Sequence, residues 1–310
     1  MNDKPTLEEL LEIQEHFGLP SPALVEKDWY VVKALAAIAA AEAAPFRLVF
    51  GGGTALSRAY GLLRRMSEDI DLKIVSEKKP SRRALTNLHR IVTGALLGAG
   101  FAFDPAKPEH RVSMYKSSFT RYQLPYAAIT EGKGVLRAEI QIEILARPLR
   151  RPSIDRSVRS FVADAFDRPA EIAAIACAAI PESAAEKLVA LTRRAGAELA
   201  GLRKERDPTL VRHLHDLHVI RGEYDAAEVA EIACDIMLDD AKAHGKDFPA
   251  YGTDPLAETL KAIDGIAGDS GFAESYATFS RDMVYGDKPD FETAMDTLKA
   301  LADQLRSGKA

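Results

Sequence analysis

The first half of the chain switches repeatedly between helical and extended hydrophobic spacing. Apolar residues recur at helical spacing between Leu24 and Ile38, and short apolar runs follow Phe46 and Asp69. Strong alternation of apolar and polar residues, with a slip near Arg137, predicts a strand at 135–145. The predicted helices are 6–17, 22–44, 55–65 and 80–98, and the predicted strands are 46–50, 69–75, 110–122 and 135–145. This mixture of elements predicts an α/β domain built around a sheet.

Beyond residue 182 the pattern contains only helices. They are predicted at 182–200, 208–221, 226–243, 254–267 and 290–306. The apolar run 172–180 fits either a strand or a buried helix, and Pro181 ends it. The change of pattern predicts a domain boundary near residue 180, with one domain at 1–180 and a helical domain at 181–310.

Composition is that of a soluble globular protein, with 47% hydrophobic and 28% charged residues in a chain of 310. No apolar run reaches the length of a membrane span, and the acidic, polar N-terminus is not typical of a secretory signal. Cys177 and Cys234 lie in Ala- and Ile-rich surroundings, which is typical of small buried residues in a reducing compartment. We therefore predict a cytoplasmic protein with no membrane partner.

Two groups of basic residues stand out against a net charge of −5. That net charge argues against a protein that coats nucleic acid but permits a local basic groove. The groups are Arg147, Arg150, Arg151, Arg156 and Arg159, and then Arg193, Arg194, Arg203, Lys204 and Arg206. Either group could follow a phosphate backbone, and a solvated basic face is an equal alternative for each.

The stretch 48–75 combines a glycine loop with two neighbouring carboxylates. Gly51–Gly53 follow an apolar strand and precede a predicted helix, whose first N–H groups favour an anion such as phosphate. Asp69 and Asp71 lie two residues apart on the next strand, so both carboxylates leave the same face. A divalent cation such as Mg²⁺ binds such carboxylates together with substrate phosphates. A plain strand–turn–helix with solvated acids becomes the weaker interpretation once both signals occur together.

A third carboxylate would complete a metal site if it came from the adjacent strand. Glu139 and Glu143 both qualify, and a solvent-facing position is the alternative for each. Three carboxylates can hold two Mg²⁺ ions, of which one activates the attacking oxygen and the other steadies a triphosphate and its leaving pyrophosphate.

Further candidates lie in the predicted helical domain. Lys187 sits on an otherwise apolar helix, where it either reaches the surface or points at an anion. Asp216 lies among His213, His215 and His218, and a surface acid is its simplest interpretation. Only His215 and His218 could share a helix face, and no cysteine pattern accompanies them, so we do not predict zinc. No Walker A loop, nucleophile elbow or dinucleotide fingerprint is present in the sequence.

Several of these segments together resemble the AbiEii-type toxin family of nucleotidyltransferases, the MenT-like toxins of bacterial type IV toxin–antitoxin systems. The matching segments are Val25–Tyr30, Phe50–Ser57, Ser67–Leu72, Gln141–Ile144, Glu186–Lys187 and His215–Leu217. Their number and order make the resemblance specific across the first 220 residues, and the rest of the chain carries no matching motif.

The resemblance implies a nucleotidyltransferase-fold mixed sheet with flanking helices, followed by an α-helical domain that contributes Lys187 and Asp216 to the site. It also implies a transferase that uses a nucleoside triphosphate with Mg²⁺ or Mn²⁺. In such relatives the acceptor is the 3′ end of tRNA, and its modification blocks aminoacylation and hence translation. A cognate antitoxin is a further expected partner.

The resemblance also assigns expected roles to residues. Those expected to bind metal are Asp69, Asp71 and Glu143, so it favours Glu143 over Glu139. Those expected to hold the triphosphate through backbone N–H groups are Gly52, Gly53 and Thr54. Ser67 is expected to contact a phosphate or cap the entry to the strand. Lys187 is expected to contact the triphosphate, and Asp216 to orient Lys187 or the acceptor.

Two departures from the family pattern concern the nucleotide contacts. The family often has lysine where this chain has Gly51, so either a phosphate contact is missing or Arg58 replaces it. His213 and His215 stand where the family has a tyrosine pair.

Two other functions remain open on the sequence alone. A related transferase could attach AMP to a protein hydroxyl, since one fold serves several activities. A decayed, catalytically inactive binding module would have lost an aspartate or glycine of the central motif, and none is lost here.

Overall fold

The structure is a computed structural model that describes residues 4–67, 69–130 and 137–308. The chain divides into two compact units. The sheet unit runs up to Gly61 and continues over Met66–Ala178. The helical unit consists of Leu62–Arg65 together with the chain from Ala179 onward. The sequence pattern grouped 62–65 with the first domain, whereas the contacts of these residues join them to the helical unit.

A seven-stranded mixed sheet forms the centre of the sheet unit, in the order β3-β4-β5-β2-β1-β7-β6. The strands are β1 (Arg47–Gly51), β2 (Asp69–Val75), β3 (Arg111–Met114), β4 (Phe119–Pro125), β5 (Glu139–Ala146), β6 (Ile154–Val158) and β7 (Ile172–Cys177). The helices of this unit are α1 (Leu7–Phe17), α2 (Pro22–Ala39), α3 (Gly52–Arg58), α4 (Arg82–Gly98) and α5 (Phe161–Ala165). The predicted mixed sheet with flanking helices is confirmed.

The strands β2 and β5 carry the alternation that the sequence predicted. β2 pairs antiparallel with β1 on one side and parallel with β5 on the other. The buried isoleucines of β2 and β5 are Ile70, Ile74, Ile140, Ile142 and Ile144. Because successive side chains on a strand point to opposite faces, the acids at the intervening positions share the other face of the sheet.

Several predicted boundaries in the sheet unit are wrong. α2 ends at Ala39 rather than near 44, because the apolar stripe ends at Ile38 and the alanines that follow have little surface to bury. α3 spans Gly52–Arg58 rather than 55–65, and Gly61 adopts a left-handed φ of 69° soon after its end.

The predicted strand at 110–122 is a hairpin of β3 and β4, joined by a tight turn at Tyr115–Ser117. The run at 172–180 contains a strand, and a helix begins at Ile180 with Pro181 in its first turn. The sequence pattern did not predict β6 or α5. Val135, the first residue of the predicted strand 135–145, lies outside the described residues.

The described part of the helical unit is built from helices, as the pattern predicted. They are α6 (Ile180–Leu199), α7 (Arg212–Val219), α8 (Ala226–His244), α9 (Pro249–Thr253), α10 (Pro255–Gly268), α11 (Ser270–Met283) and α12 (Phe291–Ser307). α6 packs against α7, α8 and α10. The sequence pattern missed α9 and α11. Within the described ranges, no helix is both long enough and apolar enough to cross a bilayer.

Both cysteines carry free thiols. Cys177 is fully buried, and burial raises the pKa of its thiol to about 12. Cys234 is only half-buried, so the prediction of two buried cysteines holds for Cys177 alone.

Candidate functional site

The glycine loop and the acidic strand meet directly. Gly51 at the end of β1 pairs with Asp71 on β2, and α3 begins at the next residue, Gly52. Gly52 has a φ of 73°, a left-handed conformation that side chains rarely adopt. A Cβ added there would lie 2.8 Å from Cγ of Asp71 and would overlap its Oδ2. The loop therefore requires glycine at 52 both for its backbone conformation and for the carboxylate packed against it.

The strand register places one glutamate beside the two aspartates. In the parallel pairing of β2 with β5, Asp71 lies opposite Glu143 and Asp69 lies opposite Gln141. Adjacent strands are about 4.8 Å apart, and paired side chains leave the same face. Nε2 of Gln141 donates to Oε1 of Glu143 at 3.2 Å, which positions that carboxylate. Glu139 pairs with Pro125 of β4 and lies beyond the end of β2.

These side chains fit a divalent cation by the chemistry of their donors. Asp69, Asp71 and Glu143 present carboxylate oxygens from neighbouring positions on one face of the sheet, and such oxygens are the ligands that Mg²⁺ takes. Across residues 4–67, 69–130 and 137–308, no three His, Cys, Asp or Glu side chains stand close enough to enclose a metal. A metal ion bound by these three carboxylates therefore stays a prediction.

Thr54 holds the helix that follows the glycine loop against the acidic strand. Its hydroxyl donates to the backbone carbonyl of Asp69 at 2.5 Å and lies 3.0 Å from the hydroxyl of Ser67. Because Thr54 has one hydroxyl proton and gives it to the carbonyl, Ser67 is the donor in the second bond. Thr54 as a whole is 1% exposed, so the expected contact of its backbone N–H with a triphosphate stays a prediction.

Alanine at position 52 should abolish activity and destabilise the sheet unit. The added methyl group would displace the Asp71 carboxylate and force a left-handed backbone on a residue with a Cβ, which costs about 1–2 kcal/mol by itself. Urea unfolding and a transfer assay would measure the two effects. Gly61→Ala is the matched control, because Gly61 is also left-handed but a Cβ there would meet no described atom within 4 Å. If both variants lost the same amount of transfer activity and stability, a special role for Gly52 would be contradicted.

Arg58 does not stand free beside the glycine loop. Its side chain is 9% exposed, its Nε lies 3.1 Å from Oδ1 of Asp28, and its guanidinium stacks on the Phe161 ring at 3.6 Å. Asp28 also accepts from the backbone N–H of Phe161 at 2.7 Å. Burial raises the pKa of Asp28 to about 6, against the opposing pull of Arg58. Arg58 thus links α2, α3 and α5, which makes it a poor replacement for a phosphate-binding lysine.

The rest of the N-terminal motif also has structural partners. The buried Glu26 carboxylate accepts from the backbone N–H groups of Ile129 and Thr130, and from the Thr130 hydroxyl at 2.6 Å. Burial would raise the pKa of Glu26, but these hydrogen bonds and Lys4 outweigh it and lower the pKa. Nζ of Lys27 donates to the carbonyl of Arg137 at 3.0 Å. The motif therefore ties α2 to residues that precede β5 in the chain.

In the helical unit, two cations share one buried carboxylate. Nζ of Lys187 on α6 donates to Oδ2 of Asp216 on α7 at 2.6 Å. Arg65 binds both carboxylate oxygens, with Nε at 2.5 Å and a terminal nitrogen at 2.6 Å. Asp216 is fully buried, and the two cations are nearly so. Burial alone would raise the pKa of Asp216, but Arg65 and Lys187 hold it well below its usual range.

Lys187 and Asp216 are therefore brought together, and Arg65 is the member that sequence reasoning missed. The Arg64-Arg65 pair between the glycine loop and the acidic strand was its only sequence signal. Burial lowers the pKa of Lys187, and the Asp216 charge opposes that effect. The cluster carries one net positive charge, which suits an anion, but the expected triphosphate contact of Lys187 stays a prediction.

Two histidines of α7, His213 and His218, have a lowered pKa, and burial is the main cause for each. Burial, followed by the charges of Lys187 and Arg212, pushes the pKa of His213 well below its usual value. Nδ1 of His215 lies 3.6 Å from Oδ1 of Asp216, too long for a hydrogen bond, and the ring packs against Phe279. Within the described part of the chain, neither ring nitrogen of His215 has a hydrogen-bond partner.

Acidification below about pH 6.5 should lower the free energy of unfolding. Burial lowers the pKa of His89, His213 and His218, so the unfolded chain takes up protons that the folded chain resists. These histidines contribute their full stabilisation above the pKa that they have in the unfolded chain. This contribution is lost as the pH falls through the lower pKa that they have in the folded protein. Asp28 has the opposite effect, because its pKa is raised to about 6 in the folded protein. The stabilisation by its protonated form is lost as the pH rises through that value. Urea unfolding between pH 5 and pH 8 measures the net slope.

His89→Gln and the exposed His16→Gln separate buried from exposed histidines. The His89 change should flatten the pH dependence, and the His16 change should leave it as it is. A stability that is constant or rises on acidification from pH 7.5 to 6 would contradict the assignment of neutral buried histidines.

Comparison with known proteins gives a family and a fold. Residues 33–297 match the model of a protein family described as nucleotidyl transferase AbiEii toxin, type IV toxin–antitoxin system. A search of the curated proteins gives no match. Among solved structures, the chain is similar to the nucleotidyltransferase toxin MenT4 from Mycobacterium tuberculosis H37Rv, with a TM-score of 0.59 and 15% identity. That alignment covers 96% of this chain and 89% of the other. At this identity the likeness shows a shared fold.

Proposed function

Since the chain belongs to the AbiEii family of nucleotidyltransferase toxins, we propose that it transfers a nucleoside monophosphate from a nucleoside triphosphate to RNA. The acceptor we propose is the 3′ end of tRNA, where an added nucleotide would prevent aminoacylation and block translation. A type IV system also implies a cognate antitoxin, and an RNA acceptor would place the reaction in the cytoplasm.

The observation that carries the proposal is the register of the glycine loop with the three acids. Gly52 packs directly against the Asp71 carboxylate, and Glu143 lies opposite Asp71 on the neighbouring strand. A close backbone turn suits a phosphate, and carboxylates beside it suit the cation that accompanies a triphosphate. A solvated strand edge would have no need for glycine in a left-handed conformation against a carboxylate.

The proposed reaction is one displacement at phosphorus. The acceptor hydroxyl oxygen forms a bond to the α-phosphorus while the bond from that phosphorus to the bridging oxygen breaks, so pyrophosphate leaves and the hydroxyl proton passes to a base or to water. Asp69, Asp71 and Glu143 would hold Mg²⁺ or Mn²⁺, which when bound neutralises phosphate charge and activates the attacking oxygen. The backbone N–H groups of Gly52, Gly53 and Thr54 would orient the triphosphate. Thr54 and Ser67 keep that loop at a set distance from Asp69.

An incorporation assay tests both the reaction and the acceptor. Purified protein and Mg²⁺ are incubated with total bacterial RNA, with a protein extract present in a parallel arm, and with each labelled nucleoside triphosphate in turn. We expect label from one nucleotide in a tRNA-sized band, and none with Asp69→Asn or with EDTA. Removal of the added nucleotide from the product should restore aminoacylation.

Three results would overturn parts of this proposal. Label in protein bands alone would replace the RNA acceptor with a protein hydroxyl. Label that persists in the Asp69→Asn protein would place the chemistry elsewhere. A wild-type protein that binds neither nucleotide with Mg²⁺ nor RNA would indicate an inactive binding module.

A further inference from the structure

A basic stripe runs along the first half of α4. Between residues 78 and 103 the sequence has five lysines and arginines and no aspartate or glutamate. Arg82, Arg83 and Arg90 lie on the exposed face of α4, and the turn before the helix adds exposed Lys78 and Lys79. Side chains at spacings of four and eight residues share a helix face, and from 82 to 90 the helix rises about 12 Å.

These arginines border an open groove of about 530 Å³. Its lining residues are Arg82, Arg83, Thr86, Asn87 and Arg90. Arg90 donates to the Asn87 side chain at 3.0 Å, and among the described residues none of the five cations of the stripe has an ion-pair partner.

Several members of the basic groups that the sequence first suggested for RNA have other partners in the structure. Of the first group, Arg156 stacks on the Tyr60 ring and Arg159 pairs with Asp164. In the helical unit, Arg193 pairs with Asp240, and Arg206 pairs with Asp269 through both carboxylate oxygens. A cation already neutralised by a protein carboxylate has less to gain from a phosphate, so the α4 stripe is the stronger candidate for a polyanion surface.

An exposed aromatic turn lies beside the stripe. Tyr115 is 76% exposed at the tip of the β3–β4 hairpin, next to the exposed Lys116. Nε2 of the buried His89 lies 3.0 Å from the carbonyl of Ser117. Because a carbonyl only accepts, Nε2 carries the proton, and this hydrogen bond fastens the turn to α4. The turn thus presents an aromatic ring and a cation next to three arginines.

We infer that the α4 stripe and the Tyr115 turn form the docking surface for the RNA acceptor, with arginines on its phosphates and Tyr115 stacked on an unpaired base. This inference rests on the proposed function, because it concerns the acceptor of that reaction. An acidic protein would satisfy the cations equally well, but it would not account for an exposed ring beside them. Aromatic side chains next to basic grooves are the usual means of holding unpaired nucleotides.

The stripe and the acids lie on opposite faces of the sheet, so only a long acceptor that passes round the sheet edge could contact both. The Tyr122 hydroxyl donates to the His89 carbonyl of α4 at 3.1 Å, and Tyr122 pairs with Ile142, whereas Asp71 pairs with the next residue, Glu143.

Lys78 and Lys79 follow the C-terminal end of β2, whereas Asp69 begins the strand. Along the strand, Asp71 and Val75 are about 13 Å apart. A lone nucleotide bound at the acids would be separated from the stripe by the sheet. An RNA whose 3′ end lies at the acids could contact both.

The test is a charge reversal with a charge-matched control. Arg82→Glu/Arg83→Glu/Arg90→Glu is compared with Arg203→Glu/Lys204→Glu/Lys246→Glu, three exposed cations of the helical unit. The probe is a fluorescent RNA hairpin with an unpaired 3′ end, titrated by anisotropy at 50–200 mM salt. We expect the Kd to rise at least about tenfold in the α4 variant, and the slope of log K against log salt to fall by about 2–3 in magnitude. The control should change the Kd less than about twofold, since its three cations are not part of the proposed surface and the change of net charge alone is screened by salt.

Tyr115 gives a second, independent measurement. Tyr115→Ala should weaken binding of the unpaired hairpin by about five- to a hundredfold, whereas Tyr115→Phe should keep it, because stacking needs the ring and not the hydroxyl. A fully base-paired RNA should show no such difference between the two variants.

Failure of this inference is distinguishable from failure of the proposed function. If the α4 variant and its control bind RNA equally, or if the wild type binds no RNA, the docking surface is wrong even where transfer is observed. If polyglutamate displaces the hairpin as well as RNA of equal charge does, the surface belongs to an acidic protein. If RNA binding depends on the stripe but no nucleotide is transferred, the surface stands and the proposed reaction fails. In an active protein, the α4 variant should raise the acceptor KM and leave the KM for the nucleoside triphosphate unchanged.

Discussion

Replacing Asp69 with asparagine should reduce nucleotide transfer by at least about a thousandfold and leave the fold intact. A bound divalent ion supplies several kcal/mol of transition-state stabilisation, and each 1.36 kcal/mol corresponds to a tenfold change in rate. Asparagine keeps the shape of the side chain but removes the charge that would hold the ion. The backbone carbonyl of Asp69, which accepts from Thr54, is unaffected by the change. Transfer would be followed with labelled nucleotide, and folding by circular dichroism and urea unfolding.

The two glutamates of β5 provide the matched control for this site. Glu143→Gln should also reduce transfer strongly, because Glu143 lies opposite Asp71, whereas Glu139→Gln should leave it close to wild type. The Asp69→Asn protein should be at least as stable as wild type, since it loses one of the like charges on that face. A folded Asp69→Asn protein with full activity would exclude this site, and a selective loss with Glu139→Gln would mean that the wrong glutamate was assigned.

Replacing Asp216 with alanine should cost about 3–5 kcal/mol of stability, because it leaves Arg65 and Lys187 buried without their shared carboxylate. Two like charges would then face each other in a site that excludes water. Urea unfolding at pH 7.5 measures the loss. Asp303→Ala, which removes an exposed partner of Arg306 on α12, is the control and should have no measurable effect.

Lys187→Met separates the structural role of this cluster from a functional one. It removes one cation and leaves a neutral Arg65–Asp216 pair joined by two hydrogen bonds, so its loss of stability should be much smaller. A stable Lys187→Met protein that has lost transfer would support the proposed triphosphate contact. Full activity in that variant would restrict Lys187 to a structural role, and an Asp216→Ala protein as stable as wild type would contradict the account of the buried cluster.

Local sequence patterns determined the type of most elements and the central motif. The alternation in β5 and the spacing of Asp69 and Asp71 each depend on residues close together in the chain, so their strand faces follow from the sequence alone. The boundaries of α2 and α3 did not follow, because helix ends depend on which residues find a surface to pack against. β6, α5, α9 and α11 are short or weakly patterned, and tertiary packing accounts for them.

Only the tertiary structure decided which charged residues act together. The pairing of Glu143, and not Glu139, with Asp71 is set by the register of β5 against β2, which no local pattern encodes. Arg65 and Asp216 are 151 residues apart in sequence, and Arg58 meets Asp28 across two helices. The sequence by itself determined the acids, the glycine loop and the family resemblance. The fold decided which basic residues are neutralised by carboxylates and which remain exposed, because charge pairing is set by distances between segments that the chain brings together only on folding.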